Sequence, residues 1–156
     1  MAEGTGGGAH SKGLQVSYNA AGDSPVLHYL HGMGTATLDL EVLFGFTNIS
    51  PDGGDSTSVV EIGIGGAYRM YKDMDGRIHP YLAPGAFFAL STDEAAGEPK
   101  IFGVGAEMGV DFMVFDQFSL GAALGAGLQF EITEAANTLS IGTYTTSINA
   151  TYWWGA

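Results

Sequence analysis

Between Ile101 and Phe115 every second residue is apolar. Phe102, Val104, Ala106, Met108, Val110, Phe112 and Val114 alternate with a set that contains Gly103, Gly105, Glu107, Gly109 and Asp111. A period of two with one wholly apolar side predicts a strand that keeps one face out of water. The pattern restarts after Asp116-Gln117, which reads as a hairpin turn. Phe118, Leu120, Ala122, Leu124, Ala126, Leu128 and Phe130 then stand against Ser119, Gly121, Ala123, Gly125, Gly127, Gln129 and Glu131. The same split sets Leu38, Leu40, Val42, Phe44 and Phe46 against Thr37, Asp39, Glu41 and Gly45, and Val60, Ile62, Ile64, Tyr68 and Met70 against Glu61, Gly63, Gly65 and Arg69. It also sets Leu82, Ala86, Phe88 and Leu90 against His79, Tyr81, Gly85 and Ser91. Towards the carboxyl end, Tyr144, Ile148, Ala150, Tyr152 and Trp154 alternate with Thr143, Thr145, Ser147, Asn149 and Thr151. Leu14, Val16 and Tyr18 begin a further strand, and Val26 to His31 a short one whose parity the pattern leaves open. Two prolines, Pro80 and Pro84, fall inside a predicted strand; a bulge or a later strand start would absorb them.

Eight such strands predict an all-β, eight-stranded antiparallel up-and-down barrel over residues 13–154, behind a flexible Gly-rich lead at residues 1–12. The polar face carries many glycines, which give a packed core little to bury but leave room for water inside a narrow barrel. The apolar face runs for about ten residues per strand, enough to cross a bilayer at a tilt. The bulky side is therefore expected to face lipid. Composition agrees: only 14% of the residues are charged, against 46% hydrophobic, and mean hydropathy lies slightly above zero. No stretch has the roughly 18 consecutive apolar residues of a transmembrane helix. A net charge of −12 with no basic cluster excludes a nucleic-acid partner, and the absence of cysteine excludes disulfides and thiolate chemistry.

The run PYLAPGAFFAL from Pro80 to Leu90, the hairpin from Gly103 to Phe130 and SINATYWW from Ser147 to Trp154 resemble small bacterial outer-membrane β-barrels of the OmpA-like type. The resemblance implies a porin-like architecture in the outer membrane of a Gram-negative cell, reached with a signal peptide that the chain does not carry. It further implies that Ile148, Ala150, Tyr152 and Trp154 form the terminal signal read by the barrel-assembly machinery. Outer-membrane lipid and lipopolysaccharide are then the surroundings, and a monomer is expected. Such barrels have short periplasmic turns and longer outer loops. Met33 to Thr35, Lys72 to Arg77 and Asp116-Gln117 are short, whereas Thr47 to Ser56, Thr92 to Pro99 and Thr133 to Leu139 are longer and mostly acidic or small. Tyr68, Phe112, Phe118, Tyr152 and Trp154 then make one interfacial aromatic belt, and Phe44, Phe46, Phe88, Phe130 and Tyr144 the other.

On the polar face stand Asp39, Glu41, Glu61, Glu107, Asp111 and Glu131, with Arg69 as the base among them. A hydrogen-bonded plug in which Arg69 pairs with one or two acids is the simpler expectation. A narrow cation-preferring channel lined by Glu61, Glu107 and Asp111 is the sharper one. A soluble lipocalin-like carrier is a third; it would turn Phe102, Val104, Leu124 and Leu128 inward and Glu107, Asp111 and Gln129 outward. Of the histidines His10, His28, His31 and His79, none has a Ser and an acid at the usual local spacing, and His28 and His31 do not share a strand face. Neither an enzyme nor a cofactor nor a metal site is expected. Asp73-Met74-Asp75-Gly76 reads as a turn that lacks the remaining ligands of a calcium loop. Asp52-Gly53-Gly54-Asp55, and Asp93-Glu94 with Glu98, are weak divalent-cation candidates facing lipopolysaccharide phosphates.

Overall fold

A computed structural model describes residues 11–19, 25–49, 57–72 and 76–155. The strands are β1 (Lys12–Asn19), β2 (Pro25–Met33), β3 (Ala36–Ile49), β4 (Thr57–Tyr71), β5 (Ile78–Ser91), β6 (Lys100–Phe115), β7 (Phe118–Ile132) and β8 (Asn137–Trp154). Each pairs antiparallel with its sequence neighbours, and β1 pairs with β8 to close the ring. Closure leaves no free sheet edge, which is what a β structure needs if it is to stand in lipid. Residues 1–10 of the expected lead lie outside the described residues; β1 itself begins at Lys12.

The apolar parity faces out. Phe102 and Leu124 are each 51% exposed and Met108 63%. Inside stand Gln15, His28, Asp39, Arg69, Asp111, Asn149 and Thr151, all buried. A water-soluble carrier would have the opposite arrangement. Gly34-Thr35, Lys72, Gly76-Arg77 and Asp116-Gln117 gather at one end, where Gly34 (φ 76°) and Gly76 (φ 94°) take left-handed conformations that L side chains rarely adopt. At the other end residues 92–99 contain a single turn of 3-10 helix, Glu94–Ala96, whose Ala96 N–H donates to Asp93.

Four expectations change. First, β5 takes both prolines without a bulge and without starting late. Lys72 N–H donates to the Pro80 carbonyl, so the even positions of β5 turn their main-chain groups towards β4. Pro84 therefore withholds its donor on that side. The β4–β5 pairing lapses between Ala67↔Gly85 and Met70↔Leu82 in unchanged register, while the β5–β6 ladder runs continuously past both prolines. Second, the last loop is shorter than drawn, since β8 already begins at Asn137. Third, Gly125 pairs with Thr145 but Ala126 with Thr143, so Tyr144 is an extra residue in β8. That bulge reverses the parity before it: Leu139, Ile141 and Thr143 are exposed opposite Phe130, Leu128 and Ala126, and Thr143 leaves the polar face. A smaller irregularity between Met113 and Phe115 likewise turns Phe115 outward opposite Phe118.

The fourth changes in part: Gly63, Gly65, Gly85, Gly105 and Gly125 line open space in the lumen as expected, but other inner glycines make room for rings. Gly13, Gly103 and Gly109 lie directly opposite Trp153, Phe87 and Tyr81 on neighbouring strands. A β-carbon at any of the three would run into the facing ring. The missing side chain lets an aromatic lie flat on the neighbouring strand, which fills a narrow barrel.

Candidate functional site in the barrel lumen

Every strand sends at least one nearly water-free side chain to the barrel centre. Gln15, Leu30, Asp39, Arg69, Tyr81, Asp111, Ser119 and Thr151 come from β1 to β8 in turn, and none is more than 5% exposed. Charge decides how they join. Arg69 donates from Nε to Asp39 Oδ2 at 2.9 Å, from Nη2 to the same oxygen, and from Nη1 to Gln15 Oε1 at 3.0 Å. Thr151 Oγ1 donates to that Gln15 oxygen at 3.1 Å. Asp111 approaches the guanidinium to 3.9 Å and accepts from Tyr71 Oη at 2.9 Å. The guanidinium carbon also sits 4.9 Å from the centre of the Tyr81 ring, a cation–π contact, and Tyr81 Oη donates to Glu107 at 2.8 Å. Trp153 Nε1 donates to Ser119 Oγ at 3.0 Å at the turn end. A buried guanidinium is tolerable only with its donors engaged, and here two carboxylates, an amide and a ring surround it.

Asp39 has a second partner. His28 Nδ1 lies 3.0 Å from Asp39 Oδ1, and His28 Nε2 lies 2.7 Å from Ser17 Oγ. No histidine has a serine or an acid at the usual local spacing, yet the strand pairing brings one of each to His28. The direct cross-strand partners of His28 are Gln15 and Glu41; its bonds instead run to the diagonal neighbours Ser17 and Asp39. Diagonal contacts are available to side chains of this length, but local sequence spacing does not disclose them. The usable signal is a polar residue recurring every 11 positions, at 17, 28 and 39, provided that β2 is phased with His28 inward. His31 is exposed on the opposite face, and His79 is buried near the turn end, where its Nε2 meets the Gly76 carbonyl at 3.2 Å. His10 lies outside the described residues.

Among the described residues, His28, Asp39 and Glu41 are the one group whose donor atoms, all within 4.8 Å of one another, have the composition of a metal site. Arg69 already occupies Asp39, and its positive charge opposes a cation there.

In the loop-end half of the lumen lies a partly open cavity of about 330 Å³. Val26, Leu43, Phe87, Ala89 and Ile101 give it apolar walls, with Ser17, His28, Glu41, Glu61, Glu107 and Gln129 also facing it. Of the acids read as lumen charges, Glu41, Glu61 and Glu107 thus face the cavity, Asp39 and Asp111 lie in the buried network, and Glu131 is half-buried near the loop end. The aromatic positions Phe44, Phe46, Tyr68, Phe88, Phe112, Phe130 and Tyr152 are exposed on the exterior. Phe118 and Trp154 are half-buried, Trp154 stacked on Tyr152 with ring centres 6.2 Å apart. Ile148 is exposed and Ala150 half-buried. The side chain of Tyr144 lies outside the described residues, as do Asp52, Gly53, Gly54 and Asp55 and the positions 73–75.

Neither a protein-family model nor a curated protein matches the chain. Among solved structures it is similar to Neisserial surface protein A (NspA), at 15% identity with a TM-score of 0.53, covering 92% of this chain and 93% of that one. Likeness at this identity speaks for the fold: the chain forms the same kind of closed small β-barrel over nearly its whole length.

Proposed function

We propose that the protein is an integral β-barrel of a bacterial outer membrane with a structural or surface-interaction role, inserted as a monomer with its short turns in the periplasm and its longer loops outside. The observation that carries this reading is the outer surface: a continuous apolar exterior around a polar interior is stable in lipid and not in water. The outward aromatics near both strand ends are consistent with two interfacial belts. Outer-membrane lipid and lipopolysaccharide are the natural surroundings of such a surface. Exposed Ile148 and Tyr152 on the closing strand β8 support recognition by the barrel-assembly machinery. A conducting pathway ranks second, because the layer around Arg69 fills the lumen below the cavity and leaves Asp111 with Tyr71 rather than lining an open passage.

The test is localisation. Expressed behind a cleavable export signal in a Gram-negative host, the chain should fractionate with outer-membrane proteins, and a cysteine placed at exposed Glu94 should react with an impermeant maleimide on intact cells. Recovery in the soluble periplasm, or reaction only at a cysteine placed in the Asp116-Gln117 turn, would overturn the reading or its orientation.

A further inference from the structure

We infer that Ser17, His28 and Asp39 form a nucleophilic triad that hydrolyses small uncharged acyl esters entering the loop-end cavity. Three independent features converge. The first is atomic order: serine Oγ to Nε2, Nδ1 to carboxylate, at 2.7 and 3.0 Å, which is the arrangement in which a histidine serves as base and an acid orients it. Asp39 is held by Arg69 and can only accept, so Nδ1 of the neutral imidazole carries the proton and Nε2 is left to take one from Ser17. The second is position. Ser17 and His28 line the cavity, whereas Asp39 lies behind them in the buried network. The third is the wall chemistry. Val26, Leu43, Phe87 and Ile101 offer an apolar surface to an acyl chain, and about 330 Å³ admits only a small molecule. Glu41, Glu61 and Glu107 face the same space and would repel anionic substrates such as free acids or phosphates.

The reaction balances with water as the second substrate. Ser17 Oγ attacks the ester carbonyl as its proton passes to His28 Nε2; the alkoxide leaves, taking that proton, and an acyl-serine remains. Water then attacks the acyl group, giving its proton to His28; the acid departs and the proton returns to Ser17 Oγ. Glu41 Oε1 lies 4.0 Å from His28 Nδ1, a second carboxyl group beside the imidazolium that forms in each half-reaction.

The inference goes beyond the membrane role, and its test separates the two. The full chain, refolded in detergent and shown to be folded by its gel mobility without boiling, is treated with a fluorophosphonate probe and, separately, with p-nitrophenyl butyrate. The probe should form a phosphonate ester on Ser17 alone, located by peptide mass spectrometry, with fluoride leaving. Ser17→Ala should abolish labelling. His28→Gln, checked as folded in the same way, should slow both labelling and ester hydrolysis at least 100-fold. Ser119→Ala, a buried lumen serine that bonds Trp153 and does not line the cavity, should change neither. A folded wild-type barrel that is not labelled, that is labelled at another serine, or whose folded His28→Gln variant reacts at the same rate would overturn the triad and leave the membrane reading standing. Failure to fold in detergent at all would count against both.

Discussion

Arg69 on β4 and Asp39 on β3, 30 positions apart in the chain, meet in the barrel centre through two donors on one carboxylate oxygen, with both side chains 2% exposed. Asp111 lies 3.9 Å from the same guanidinium, equally buried, and Gln15 and Tyr81 complete its surroundings. Truncating one member strands the other's charge. Arg69→Met should therefore destabilise the folded barrel by about 3–5 kcal/mol, whereas Arg69→Met combined with Asp39→Leu should cost clearly less than the sum of the single changes. Urea titrations in lipid vesicles, followed by tryptophan emission, give the four stabilities of the cycle. Additive losses would mean that the pair is incidental.

Leu124 lies at the middle of β7, exposed opposite Met108 and Thr146. Leu124→Arg should cost about 2–4 kcal/mol in a bilayer. Gln129→Arg, on the inward parity and at the cavity, should cost less. Comparable losses at both positions would contradict the outward assignment of Leu124.

Because Tyr81 lies over Gly109 and cannot move without leaving Glu107 and Arg69, Gly109→Ala should destabilise by about 1–3 kcal/mol through overpacking. At Gly142, where nothing lies within 4 Å of an added β-carbon, the same change should be neutral or slightly favourable. The two variants compared by urea midpoint in the same vesicles settle the matter; equal behaviour would remove the ring-on-glycine account.

Much of this architecture was legible because β6 and β7 alternate without interruption, so Phe102 to Phe112 and Phe118 to Phe130 could take only one facing. The acids Asp39, Glu41, Glu61 and Glu107 followed from the same phase. β2 was opaque for a physical reason: it presents Leu27, Tyr29 and His31 outward and Val26, His28 and Leu30 inward, so both faces mix apolar residues with a histidine. Without that phase His28 had no side, and the Ser17–His28–Asp39 chain stayed hidden. The Tyr144 bulge was equally silent, since a Thr-Tyr-Thr-Thr run reads alike in either register. Composition shows room at the inner glycines, and Gly63, Gly65, Gly85, Gly105 and Gly125 do line the cavity; only cross-strand register tells that a ring lies on Gly103 or Gly109 instead.

The filled layer also bears on conduction. Arg69 and Tyr81 close the lumen below a cavity that faces the loops, so the intact barrel should show no resolved steps in a planar bilayer. Tyr81→Gly with Arg69→Gly, if it refolds, should show cation-preferring events, because Glu61 and Glu107 remain in the cavity while the basic group is gone. Conductance in the intact protein equal to that of the double variant would contradict a plugged lumen.

A barrel whose bulky apolar face meets lipid and whose polar network fills the inside needs an amphiphile to fold. Gel mobility of boiled and unboiled samples, run after transfer from urea into detergent and into plain buffer with circular dichroism on both, tests it most directly. A compact β-rich species that appears only with detergent and is lost on boiling is the predicted result. A monomeric β-rich fold in buffer alone would contradict the claim, because it would require Phe102, Leu124 and their neighbours to be buried.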